Sequence, residues 1–439
     1  SASGAATYAI RASVNNHAWY GLVTNFNHDI TEDLSWNVGF DLRSYKGTHF
    51  RQIIDLLGAD YFQDNNNVRF PSGNQITATF EANPWSSLSN FAEESERYSY
   101  DYSERINYGG LFSQLEYAKD GFSAFVQGSI SSQSHIRWDR YQYLPADEES
   151  EKVTNSGFNI KGGTSYQIDD QNTVYFNTGY YSRQPYHDNI YLNFGNDVNP
   201  LTKNEKIFGL EAGYSLRLNG FTANVNLYRT SWKDRVVTSS SFEDDVLLYT
   251  SNFGVEQLHS GIEVDFKAKA TTDLSFRGFL SVGNWEYKGE SRTRVSDEDR
   301  NIISEEVEDV DGGKVGDAAQ FTFGLGANYT VTDALSLDAD YRYYDKLYAR
   351  VGAVKENLQL PSFGLMDMGA TYKLIKKAGN KGLSLRVNVN NVFHKIYISE
   401  LTSNIALEAG DTAYQGINVN NFALFGLGRT WNAGLRYNF

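Results

Sequence analysis

The sequence predicts an all-β chain, a transmembrane antiparallel up-and-down β-barrel with long loops at one end and short turns at the other. Three observations carry that expectation. Apolar and polar residues alternate strictly over many segments, short and long connections alternate along the chain, and the composition suits strands and turns. The 439 residues include 30 Tyr, 27 Phe and 38 Gly but only 6 Pro, the usage expected of many strands joined by tight turns.

The alternation is clearest at the end of the chain, "RTWNAGLRYNF". Trp431, Ala433, Leu435, Tyr437 and Phe439 fall on one side of a strand; Asn432, Gly434, Arg436 and Asn438 fall on the other. "DLSWNVGFDLR", "FGLEAGYSLRL", "GIEVDFKAKA" and "ALSLDADYRYY" repeat the pattern. Strand side chains project to opposite faces at period two, so each segment has an apolar face and a polar or charged one.

Fifteen segments read this way, near 17–27, 33–44, 104–118, 121–134, 155–168, 172–182, 204–218, 221–232, 256–270, 273–287, 318–330, 334–344, 364–374, 383–391 and 427–439. Tight connections ("HDITED", "KD", "DDQ", "NG", "TT", "VTD", "IKKAGNKG") alternate with long ones around 45–103, 135–154, 183–203, 233–255, 288–317, 345–363 and 392–426. Hairpins at one end and long loops at the other describe an up-and-down sheet. A soluble sandwich or propeller is the alternative, but its loop lengths need not alternate by end. Here the polar faces carry full charges, as expected where lipid covers the apolar face and the polar face lines an interior. Open edges in hydrocarbon would leave backbone groups unpaired, so closure follows. A mean hydropathy of −0.49 fits, since half of each strand and every long loop is wet.

Charge and motif content narrow the function. The formal charge of −15 argues against a nucleic-acid partner. There is no cysteine, and the seven histidines (17, 28, 49, 135, 187, 259, 394) show no metal-ligand spacing. No nucleophile elbow, phosphate loop or complete dinucleotide loop is present. Asp338 and Asp340 share a polar face and read as lumen-facing charges rather than catalytic partners. Neither an enzyme nor a bound cofactor or resident metal is expected. No run of eighteen apolar residues forms a helical span, and "SASGAATYAI" lacks the basic and apolar regions of a signal peptide.

Three loop features stand out. "THFRQIIDLLGADYF" sets Phe50, Ile53, Ile54 and Leu57 at helical spacing with Gly58 as a stop, predicting a short amphipathic helix that packs within its loop or docks a lid protein. From Asp297 to Asp311 there are eight acids and one Arg, a local −7 (−8 + 1). The segment reads as a solvated acidic loop; "DVDGG" lacks the full alternating ligand set of a calcium loop. Aromatics beside polar groups, Trp138, Tyr141 and Tyr143 in one loop and Tyr186, His187 and Tyr191 in another, are the candidate substrate contacts. Such surfaces stack apolar faces while polar tips orient a ligand. Tyr and Trp near strand ends, among them Trp19, Tyr20, Trp232 and Trp285, read as interfacial girdles.

These features resemble the TonB-dependent outer-membrane transporters. "NEKIFGLEAGYSLRLNGFTANVNLYRTSWKDRVV" is similar to a hairpin of that family, at Glu211, Gly213, Tyr214, Tyr228 and Asp234. "VNVNNVFHKIY" is similar to the segment before its final loop, and "FALFGLGRTWNAGLRYNF" to its closing strand. In that closing strand Trp431, Leu435, Tyr437 and Phe439 would serve barrel insertion. The resemblance implies a 22-stranded barrel around a plug, with 22 − 15 = 7 strands, the plug and the TonB-contacting segment upstream of this chain. It implies a bacterial outer-membrane location, lipid around the wall, TonB-driven uptake of a scarce nutrient (a metal chelate, haem, cobalamin or glycan), and partners that include the TonB complex and a surface lipoprotein lid. A passive porin-like channel is the alternative within transport. A structural subunit of an outer-membrane secretion or assembly complex is the alternative outside it.

Overall fold

The computed structural model describes residues 4–191, 195–243, 246–297, 301–376 and 382–438. Among the described residues there are fifteen wall strands: β1 (Ile10–Asp29), β2 (Leu34–Asp55), β3 (Tyr98–Lys119), β4 (Phe122–Asp139), β5 (Val153–Gln167), β6 (Asn172–Arg183), β7 (Glu205–Leu218), β8 (Phe221–Glu243), β9 (Val246–Lys269), β10 (Leu274–Lys288), β11 (Phe321–Thr330), β12 (Leu335–Asp345), β13 (Phe363–Lys376), β14 (Gly382–Asn390) and β15 (Thr430–Asn438). With a loop hairpin, Glu290–Ser296 and Ile302–Asp309, they belong to one 17-stranded sheet. The wall ladders β1–β2 and β7–β8 through β14–β15 all run antiparallel between sequence neighbours.

Short turns have a shared local chemistry. "ITEDL", "ATTDL" and "VTDAL" close in the same way: the amides of Ile30, Ala270 and Val331 donate to the carbonyls of Leu34, Leu274 and Leu335. In each, the threonine hydroxyl (Thr31, Thr271, Thr332) accepts the amide two residues on at 3.2 Å. This Ser/Thr turn satisfies a donor that the ladder cannot reach. Asp169 does the same for Gln171 and Asn172 at 2.8 Å. The two-residue turn Asp120–Gly121 has φ of +49° and +80°, as expected of a type I′ hairpin whose twist matches its strands. Part of the "IKKAGNKG" turn lies outside the described residues.

The chain divides into two compact units, residues 1–115, 127–160 and 182–204 in one, and 116–126, 161–181 and 205–439 in the other. In each, the buried apolar core sits where long loops pack against one another and against segments of the wall strands. The first unit packs Ile53, Leu56, Ile76 and Tyr98 together, with Val14, Phe50 and Ala92 beside its loops. The second packs Leu347, Leu360, Phe363 and Leu401, and separately Val255, Tyr287 and Val310. The wall's own large apolar residues, such as Leu22, Leu111, Ile130, Leu227 and Leu325, are exposed, the distribution expected when acyl chains rather than protein cover them. Among the described residues no helix is long and apolar enough to cross a membrane, which bears on helices alone.

The helix expected at 48–62 is absent. Thr48–Asp55 continues β2, with Phe50 opposite Val14 and Gln52 opposite Ala12. His49, Phe50, Gln52 and Ile53 are all buried, because loop residues cover both faces: the Ala92 amide donates to Gln52 at 3.0 Å and the Phe80 amide to the Ile53 carbonyl at 2.9 Å. A strand covered on both faces loses period two, and its apolar spacing imitates a helix. The strand ends at Asp55, and Gly58, at φ +85°, lies in the turn beyond it. Likewise β8 and β9 extend through most of 233–255, and the acidic segment after Asp297 contains a strand. There Glu305 pairs with Arg292 and Arg294, and Asp309 with Lys355.

Candidate functional site: the long-loop face

In the first unit the polar faces of four strands and one helical turn converge on Glu104 of β3. The outward apolar residues of the β3–β4 hairpin run over Leu111, Leu115, Phe122, Val126 and Ile130; Glu104 and His135 lie beyond them, on the long-loop side. Period two places Tyr45 and His49 on one face of β2, Tyr102 and Glu104 on one face of β3, and His135 and Arg137 on one face of β4. His187 arrives from the turn His187–Ile190. Glu104 lies 3.7 Å from His49 Nε2 and 3.3 Å from His187 Nε2. His187 Nδ1 meets His135 Nδ1 at 3.2 Å, so one ring donates and the other accepts. Tyr45 Oη lies 2.7 Å from His17 Nδ1.

Glycine makes this convergence feasible. A Cβ on Gly47 would stand 2.5 Å from Tyr45 Oη and 2.6 Å from His49 Nε2. Burial and the neighbouring His187 ring push His135 down to about 4, and burial likewise lowers His187. For Glu104 burial pushes upward, but the neighbouring His49 and His187 rings and the Tyr45 hydroxyl outweigh it and hold the carboxyl at about 2. The arrangement is a carboxylate between His49 and His187, with His187 in turn against His135. Among the described residues no group of three His, Asp or Glu is arranged to hold a metal ion.

A second buried network pins the loops. Asp101, 2% exposed, accepts from Arg97 at 2.8 Å and from Arg140 at 2.9 Å. Arg137 bonds Asp139 at 3.1 Å and Asn196 at 2.9 Å, and stacks 4.5 Å over Tyr102.

The six aromatic and histidine candidates occupy three kinds of place. Tyr141 is buried and donates to Asp64 at 2.8 Å. Tyr191 is buried against His187, with its hydroxyl on the His135 carbonyl at 3.1 Å, and His187 belongs to the network above. Tyr143 accepts the Asn196 amide at 3.0 Å, and Trp138 donates to Glu149 at 2.7 Å. Tyr186 stays 59% exposed, with the Arg183 guanidinium 4.8 Å over its ring. His17, His49, Glu104 and His135 were not legible as a group, since only strand pairing brings them together; hairpin register was the one available signal.

In the second unit the polar face of the wall carries paired charges. Arg277 holds Asp340 at 2.7 Å, Arg386 holds Asp338 at 2.8 Å, and Arg342 pairs with Asp367. Arg277, Asp340, Arg342 and Asp367 line a cavity of about 460 Å³. Asp338 and Asp340 are thus ion-pair members, as a charged inner wall requires. In β15, Trp431, Leu435 and Tyr437 are exposed; Phe439 lies outside the described residues.

An antiparallel wall with an apolar outer face, a charged inner face and elaborate loops at one end defines an outer-membrane β-barrel of the receptor type. Residues 2–392 match the model of the TonB dependent receptor-like β-barrel, and the chain belongs to that family, which acts in the outer membrane and is not enzymatic. Nothing among curated proteins matches the sequence. Solved structures of similar fold include the copper transporter OprC (TM-score 0.64, 15% identity, 98% of this chain and 57% of that one). They also include the ferric yersiniabactin uptake receptor FyuA from Yersinia pestis (0.61, 13%, 98% and 55%) and the siderophore receptor PiuA from Acinetobacter baumannii (0.62, 13%, 97% and 56%). The chain spans about half the length of the structures it matches.

Proposed function

We propose that this chain forms barrel wall and exterior loops of an active outer-membrane transporter that captures a scarce nutrient and draws on the TonB complex for energy. The observation that carries the reading is the family membership of 391 residues (392 − 2 + 1) joined to a charged inner wall. Ion pairs such as Arg277–Asp340 give the lumen a polar lining that a moving polar element can slide against. Lipid surrounds the exposed wall, and Trp431, Leu435, Tyr437 and Phe439 supply the closing strand used in insertion. Of the six loop candidates, Tyr186 is exposed and Trp138 and Tyr143 are half-buried, so these three are the ones open to a cargo, and a surface lipoprotein lid is a fitting partner for the loops. Similar structures are described as handling copper and ferric chelates.

The test is competitive growth and labelled-nutrient uptake in the source bacterium with the gene deleted, and with TonB function removed. Active uptake predicts that both lesions abolish accumulation of the same nutrient. Uptake that survives loss of TonB would instead indicate a passive channel. Normal uptake of every nutrient, together with stable co-purifying subunits, would indicate a structural role.

A further inference from the structure

The second unit holds a cavity of about 390 Å³ at its long-loop ends, within the range of small-molecule sites. It lies between the extended β8–β9 hairpin, the Glu290–Asp309 hairpin, the 346–362 loop and the final long loop. Strand register builds its wall: Ser239 is directly opposite Thr250, and Asn252 directly opposite Thr293. Thr250 and Asn252 are two residues apart, so these four side chains share one face.

The wall is rigid. Asn252 is buried and clamps the 346–362 loop, its Oδ1 accepting the Ala353 amide at 3.2 Å. Its Nδ2 donates to Thr293 at 2.8 Å, and Thr293 donates in turn to Glu308 at 2.8 Å. The remaining polar lining is uncharged. Among the described residues no side-chain hydrogen bond engages the hydroxyls of Ser239, Thr250 or Thr402, all of which line the space. Val354 and Phe422 add apolar surface.

No lysine or arginine is among the described lining residues; Glu308 is the one charged group there. An anionic chelate would therefore meet a carboxylate and no cation, at a desolvation cost nothing offsets. Free hydroxyls beside apolar surface instead match a ligand that alternates C–H faces with hydroxyl groups. We infer that this cavity binds a neutral, hydroxyl-rich ligand the size of one or two sugar rings. The inference rests on the uptake reading above and names the cargo class that the loops of this unit would take.

The test uses the full-length protein in detergent micelles. It is applied to an array of neutral and acidic oligosaccharides, and the tightest neutral binder is then titrated by calorimetry, with a ferric tris-catecholate as the anionic comparison. The expected result is binding of at least one neutral sugar that the ferric chelate does not displace. The double variant Thr250→Val/Thr402→Val keeps shape while removing two hydroxyls, and should weaken binding about tenfold or more. Phe422→Ala, on an exposed side chain, should weaken it in the same direction. Unchanged heat-modifiable gel migration verifies that each variant is folded. Absence of any neutral sugar from the bound set overturns the inference, as does binding indifferent to the double variant. TonB-dependent uptake of another cargo without sugar binding would defeat the cavity and leave the transport reading intact. Sugar binding with TonB-independent uptake would do the reverse.

Discussion

The Glu104–His187–His135 network of the first unit and the Arg277–Asp340 pair of the second are both built from charges on the polar faces of strands. They differ in solvent. His135 is 1% exposed and Asp101 nearby 2%, whereas the Arg277 side chain keeps 51% of its surface. A buried charge without its partner retains its full desolvation cost, while an exposed one is rescued by water. The same residue types therefore act as structural ties in one region and as replaceable lining in the other.

The largest effect that would break this comparison lies at Asp101. Removing it by Asp101→Ala leaves the buried Arg97 without a carboxylate and the half-buried Arg140 with Glu94 alone at 3.5 Å, and should cost about 3–5 kcal/mol of unit stability. Denaturant midpoints in detergent, read by tryptophan fluorescence, provide the measurement. A loss comparable to that of an exposed pair would remove the distinction.

Next comes pH. The folded pKa of His135, about 4, lies below the usual unfolded value of about 6.5. The unfolded chain therefore binds the extra proton first, and stability falls as pH drops from about 6.5 to about 4. The loss is on the order of 3 kcal/mol. Glu104 is depressed to about 2, so its contribution is present above about 4.5 and is lost in a second window as pH falls towards 2. His135→Gln should reduce the loss in the upper window, with the remainder belonging to His187, which burial lowers in the same direction, and Glu104→Gln should flatten the lower. A single merged window in both variants would contradict the separate roles.

Gly47→Ala is expected to cost about 1–3 kcal/mol by overpacking, since its Cβ would press on Tyr45 Oη and His49 Nε2. Tyr45→Phe should recover part of that loss in a double-mutant cycle; purely additive losses would place the strain elsewhere. The smallest effect belongs to Asp340→Ala, expected within about 1 kcal/mol and diminished further by salt. A larger loss would mean that the inner wall is not wet.

Wall strands and turns were legible because their determinants are local. Leu335, Leu337, Ala339 and Tyr341 alternate with charged neighbours whatever surrounds them, and Thr31, Thr271 and Thr332 close their turns within five residues. Legibility failed where a second layer intruded. Thr48–Asp55 imitates a helix because loop residues reach both sides of the strand. The β9 extension hides in the sequence because "TSNF" does not alternate: Ser251, Asn252 and Phe253 are all buried, covered on both faces. The histidine cluster was invisible for another reason: positions 17, 49, 104, 135 and 187 have no mutual spacing; strand pairing unites the first four and a loop turn brings in His187.

By itself, then, the amino-acid order determined a strand-built membrane wall, the side of each strand that meets lipid, and the end that carries long loops. All of these follow from period-two projection and turn chemistry, which act over a few residues. Only the tertiary structure decided which polar side chains are buried together, that Glu104 sits among histidines, and that Asn252 clamps a loop a hundred residues away. Those outcomes depend on pairing across the sheet, where solvent exclusion rather than residue identity sets what a charge or hydroxyl can do.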